Sequence, residues 1–144
     1  MANKESGFTF VEIVLVLAIV SILTAIIIPL GDHWIQKKTE ADAIQSLILE
    51  IQSVQSYALA NNAYAWIYFD NNGKEYISSA TAGKRLSKKV FPEGISLSSD
   101  SPLKSVGFTG NGNISSPGTL TLKMPSGLVQ LRFQFQRGRV IVGE

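Results

Sequence analysis

The sequence predicts an α+β chain in which one long N-terminal helix packs on a C-terminal antiparallel β-sheet. Three observations carry that prediction. Residues 13–30 hold no charged side chain and only two polar ones, Ser21 and Thr24. Apolar residues then recur at spacings of three and four across residues 41–58, the signature of a helix with one buried stripe. Beyond residue 63 the apolar period drops to two, as in strands with one face on a core.

The 144 residues suffice for one domain and an appended segment. All charged residues except Lys4, Glu5 and Glu12 lie beyond residue 31. A net charge of +2 is too small to mark a dedicated nucleic-acid binder. With no cysteine, disulfides and thiolate metal sites are excluded. A head of about 110 residues must therefore hold together by its own core, which that size allows.

The first element is the apolar run over residues 8–30. As a helix it would be roughly 34 Å long, enough to cross the hydrocarbon layer. A secretory signal needs a shorter apolar core and a small-residue cleavage site after it. Here the run is followed by "GDHWIQKK", so a membrane anchor is the better reading. Charge does not favour one orientation strongly, with Lys4 before the run and Lys37 and Lys38 after it. Glu12 stands apart. Near the start of a helix, about 6 Å along the axis from Phe8, it reaches the headgroup level and is mildly favoured by the helix dipole. Deeper in the membrane it would cost about 3 kcal/mol and would imply a function and a partner. Both readings are open from the residues alone.

The stretch "GFTFVEIVLVLAIVSILTAIIIP" resembles the N-terminus of the type IV pilin and pseudopilin superfamily. It combines a short polar leader ending in glycine, a phenylalanine, a glutamate fifth from it, an unbroken apolar helix and a proline twenty-second on the same count. The resemblance implies that residues 1–7 are a leader and that a prepilin peptidase cuts after Gly7. The same enzyme then methylates the new N-terminus at Phe8. It also implies that 8–30 is the transmembrane and filament-core helix, that 31–144 is the head of a pilin fold, and that other pilin subunits are partners. Glu12 gains a role from this. Cleavage creates an amine, and Glu12 of one subunit can meet that amine on its neighbour, where an unpaired charge would be costly.

Pro29 lacks an N–H and crowds the carbonyl of Ala25, so the helix is expected to kink or melt locally there and then continue. The continuation places Ala41, Ile44, Leu47 or Ile48, Ile51, Val54 and Ala58 on one stripe, with Asp42, Gln45, Glu50 and Gln52 mostly off it. Asn61–Asn62 is the expected stop near residue 62, because asparagine tolerates the left-handed conformation. "AYAWIYFD", "NNGK" and "EYIS" read as a hairpin with an Asn-Gly turn. Residues 79–89 read as irregular and basic. "GISLSS" and "SVGFTG" are short strand candidates, with "GNGNISSPG" as a loop. In "TLTLKM", Leu120, Leu122 and Met124 share a face. In "VQLRFQF", Val129, Leu131, Phe133 and Phe135 do the same, and "RVIV" closes the sheet after "QRG". The helix-to-strand junction and the late Gly138, Arg139 and Val140 are similar to the group of minor pilins and pseudopilins that includes GspH and FimT. Competence minor pilins of the ComGD kind share that pattern.

No catalytic constellation and no cofactor site is legible. His33 sits beside Trp34 just past the apolar run, an interfacial-anchor pattern. Asp70, Asn71, Asn72 and Glu75 lack the spacing of a calcium loop and read as a turn. The chain is expected to be the substrate of a processing enzyme rather than an enzyme. Arg132, Arg137 and Arg139 gather near the last turn, and such a cluster could hold phosphates. The FimT resemblance implies the same, since relatives there are held to capture DNA through a basic C-terminal region. The expected function is a minor pilin of a DNA-uptake (competence) filament. It would be a single-pass protein of the cytoplasmic membrane before assembly and a surface or periplasmic filament component after it. The alternatives are a pseudopilin of a type II secretion system and a DNA-binding tip module.

Overall fold

The computed structural model describes residues 9–134 and 140–143, with backbone alone at residues 27–36 and 140. The chain divides into two compact units, Met1–Lys37 and Lys38–Glu144. One helix, α1 (Phe10–Asn61), supplies the first unit and the opening of the second. It runs unbroken through Pro29, so the local melting expected there does not occur. One missing hydrogen bond leaves the rest of the ladder intact.

In the first unit the described side chains from Phe10 to Ile26 are exposed. The two hydroxyls among them are satisfied within the helix. Ser21 Oγ donates to the Leu17 carbonyl and Thr24 Oγ1 to the Val20 carbonyl, each at 2.7 Å. Hydroxyls bonded back in this way can sit in an apolar surrounding at little cost. No helix among the described residues is long and apolar enough to cross a membrane. The segment 8–30 read from the sequence runs past the described side chains at both ends.

In the second unit α1 buries Ala43, Leu47, Ile51, Val54 and Ala58. Ala41, expected on the stripe, is exposed. Each helical residue turns about 100°, so Ala43 lies about 40° from Leu47 around the axis and Ala41 about 120° away. Glu50, expected off the stripe, is buried. The helix ends as the asparagines predict. Asn62 has φ +45°, Ala63 N–H donates to the Ala58 carbonyl and Asn62 N–H to that of Leu59, a Schellman cap.

Two four-stranded antiparallel sheets follow, where one sheet was expected. The first contains β1 (Ala65–Asp70), β2 (Glu75–Ala80), β3 (Lys84–Val90) and β5 (Ser105–Phe108), in the order β3-β2-β1-β5. The second contains β4 (Ser96–Leu97), β6 (Gly118–Met124), β7 (Gly127–Phe133) and β8 (Val140–Gly143), in the order β4-β6-β7-β8. The inward residues of both, Ile67, Val106 and Phe108 from one and Leu120, Leu122 and Leu131 from the other, join the helical stripe in a single core. Phe135 and the "QRG" turn lie outside the described residues.

The strand β3 corrects the irregular reading of residues 79–89. A 3₁₀ turn, Thr81–Gly83, leads into it, and it pairs with β2 through a bulge at Leu86, between the pairs Ser78↔Ser87 and Ser79↔Arg85. It shows no apolar alternation because it is an edge strand, and its lysines and arginine are the charges that keep an edge from pairing with other chains. The β1–β2 connection spans four residues rather than a two-residue turn, with Asn71, Asn72 and Gly73 all at positive φ. At Gly73 (φ +79°) an added Cβ would stand 2.7 Å from Leu97 Cβ and 2.8 Å from its backbone N and O. Gly73→Ala is therefore expected to cost about 2–4 kcal/mol, through both strain and clash. Urea denaturation of the two proteins measures it.

Candidate functional site

The N-terminal assembly region begins with a helix cap. Thr9 Oγ1 accepts a hydrogen bond from the Glu12 N–H at 3.3 Å, and the Thr9 carbonyl accepts from Glu12 and Ile13 at 3.1 and 3.2 Å. Thr9 is thus the N-cap and Glu12 the third helical residue, the T-x-x-E spacing of a capping box. Sequence reading passed over Thr9, although that spacing was the signal. Glu12 is exposed, amid the exposed side chains of Phe10, Val11 and Ile13. Its carboxylate therefore lies at the positive end of the helix dipole, on an apolar surface. Gly7 and Phe8 lie outside the described residues, and Pro29 lies within α1 with only its backbone described.

The C-terminal arginines are only partly placed. Arg132 is exposed on β7, opposite Thr119 of β6 and Ile141 of β8. Arg137 and Arg139 lie outside the described residues, so the cluster expected of the three is not on view.

Two carboxylates that the sequence reading did not single out join the helix to the sheets. Glu40 accepts from the Ser126 N–H at 3.0 Å and from the Ser126 hydroxyl, in the turn between β6 and β7. Glu50 accepts from Ser78 Oγ at 2.7 Å and from Ser87 Oγ, and pairs with Lys89 Nζ at 2.9 Å. Burial pushes the Glu50 carboxyl up. The hydrogen bonds from Ser87, Lys89 and Ser78, with the Lys89 charge, outweigh that and hold it below the usual carboxylate range. Its hydrogen bond to Glu50 in turn raises Lys89. No group of three or more His, Cys, Asp or Glu residues able to hold a metal ion occurs among the described residues.

Residues 2–28 match the prokaryotic N-terminal methylation motif, a span that includes Thr9 and Glu12. The N-terminal motif, the fold of the head and a related sequence together support the type IV pilin and pseudopilin superfamily. The fold of its head is that of minor pilins. The type IV minor pilin FimU of Pseudomonas aeruginosa superposes with a TM-score of 0.59 at 19% identity, covering 72% of this chain and 87% of that one. EpsH, a minor pseudopilin from the type 2 secretion system of Vibrio cholerae, superposes with a TM-score of 0.53 at 15% identity, covering 73% and 95%. The prepilin peptidase-dependent protein D of Escherichia coli is 28% identical over 93 residues, 65% of this chain and 62% of that protein. The chain therefore spans about three fifths of the length of that relative.

Proposed function

We propose that the chain is a minor pilin of a competence filament. It takes part in DNA uptake as a structural subunit that helps initiate or cap the filament, and it carries no enzymatic activity. The observation that carries the assembly role is the capped start of α1. Thr9 and Glu12 head a helix whose side chains stay exposed as far as Ile26 and, but for Glu12, Ser21 and Thr24, apolar, a surface that needs lipid or other subunits around it. Support for the competence branch is the helix-to-strand junction, similar to the ComGD kind within the GspH and FimT group. In this reading a prepilin peptidase cuts after Gly7 and methylates Phe8. The segment 8–30 spans the cytoplasmic membrane before assembly, and the chain then moves into a filament of other pilins.

Deleting the gene separates this reading from that of a type II secretion pseudopilin. Transformation is expected to fall to background while secretion of folded proteins continues. Lost secretion with intact transformation would overturn the proposal. If the arginines hold DNA directly, a chain with Arg132, Arg137 and Arg139 all changed to Ala still assembles, binds duplex DNA less tightly and shows a shallower salt dependence.

A further inference from the structure

Three of the four sheet edges are closed to other chains. β3 ends the first sheet with Lys84, Arg85, Lys88 and Lys89 and a bulge. β5 ends it on the other side, and the segment that follows folds back over its free side. Phe108 bridges Ile114, and the Ser115 N–H donates to the Gly107 carbonyl at 2.8 Å. In the second sheet β4 has only two residues, and the Leu97 N–H donates to the Gly73 carbonyl at 2.8 Å. Charge, a bulge, brevity and cover are the usual means of keeping an edge from pairing with another chain.

The fourth edge, β8, has none of them. Val140–Gly143 carries no charge and no proline. β7 takes one of its sides, and among the described residues nothing pairs with the other. Val142 lies opposite the fully buried Leu131 and so stands on the core face, yet it is 46% exposed. Ile141, opposite the exposed Arg132 on the outer face, is 44% exposed. The sheet is thus open and apolar on both faces at this end. A strand laid along β8 would satisfy its free backbone groups and cover both side chains at once.

The rest of the chain decides which strand fits. Two copies of β8 would pair antiparallel about a two-fold axis normal to the sheet. That axis turns the helix lying on one sheet against the helix lying on the other. In a filament drawn from one membrane every α1 runs the same way, so this pairing cannot join its subunits. Nor does a second copy offer another strand, since β3, β4 and β5 are each closed. We propose that β8 takes the edge strand of a different subunit of the filament, an uncharged strand rich in β-branched residues that matches Val140, Ile141 and Val142. The head then docks on a partner unlike itself rather than on its own copies. The inference rests on the filament role proposed above.

The test places the photo-crosslinker p-benzoylphenylalanine at position 141 of the full chain and irradiates whole cells. The expected adduct joins it to a different chain that carries the N-terminal methylation motif, through a peptide from a strand at the edge of that chain's sheet. The same crosslinker in place of Arg85, exposed on β3, should give no such adduct. Glu12→Ala, which keeps the chain out of filaments, should abolish the adduct. An adduct that survives Glu12→Ala upholds the strand pairing and counts against the filament role. Ile141→Lys and Val142→Lys together charge β8 as β3 is charged. They should lower the amount in sheared filaments about tenfold, while cooperative urea denaturation shows the head still folded. The proposal is overturned if position 141 reports only a second copy of this chain, or if the chain is present in filaments and gives no adduct there. It is equally overturned if the doubly charged variant enters filaments at the parental level.

Discussion

A Glu12→Ala chain is expected to be cleaved after Gly7 and to accumulate in the membrane without entering filaments. The substitution spares the helix. Thr9 still caps α1 through its hydroxyl and carbonyl, and losing one carboxylate near the dipole's positive end costs only about 0.3–1 kcal/mol. The cost falls on assembly. The side chains around Glu12 are apolar and exposed, so a neighbour's amine brought there would be buried without a partner, at about 3–5 kcal/mol. That corresponds to more than about a hundredfold in the association constant. Mass analysis of the N-terminus reports cleavage, and immunoblotting of the sheared filament fraction reports assembly. Glu12→Ala at parental levels in that fraction would refute the pairing role. Thr9→Ala is the control: it weakens the cap by about 1 kcal/mol and leaves the carboxylate available.

Lys89→Met is expected to destabilise the head by about 2–4 kcal/mol near neutral pH. The asymmetry of the pair decides this. Lys89's side chain is 43% exposed and Glu50's 8%, so removing the lysine leaves a buried carboxylate with only Ser78 and Ser87 as donors. Burial is then opposed by the two serine hydroxyls alone, and the Glu50 carboxyl sits higher than in the parent. The pH dependence has a definite sign. In the parent, Glu50 lies below its ordinary 4.5, so its contribution is full above that value and fades as pH falls through the lower folded value. In Lys89→Met the carboxyl sits higher than in the parent, so less of that contribution is present at neutral pH. The gap between the two proteins should therefore be widest near neutrality and shrink below about pH 4.5. Urea denaturation across that range measures it, and a gap that is absent or constant with pH would refute the account.

Much of this was legible in the residues. The long helix, its stop at Asn62, the first hairpin and the β6–β7 hairpin follow from periodicity and turn chemistry, because those elements each bury one face. What escaped were the places where polar residues take buried positions. Taking Leu47 as the centre of the stripe, Glu40 lies about 20° from it and Glu50 about 60°, closer than Ala41 at about 120°. Residue type hid them, since carboxylates are rarely buried unless paired, and their partners, Ser126, Ser78, Ser87 and Lys89, lie 28 to 86 positions away in sequence. The strand β3 escaped for a related reason: an edge protected by charge carries no apolar period. Of the candidate site, Glu12 was readable by motif, whereas the ties of Glu50 to Ser78, Ser87 and Lys89 depend on strand register.

The two buried carboxylates also have a mechanical consequence. Glu40 and Glu50 stand about 15 Å apart along one rod, the first bolted to the hairpin of one sheet and the second to the other sheet. Tension applied along the rod would load both bolts in shear together with the apolar stripe between them, rather than peeling contacts away one at a time. A subunit pulled by its helix should therefore yield at a high force in one event, with the head detaching whole.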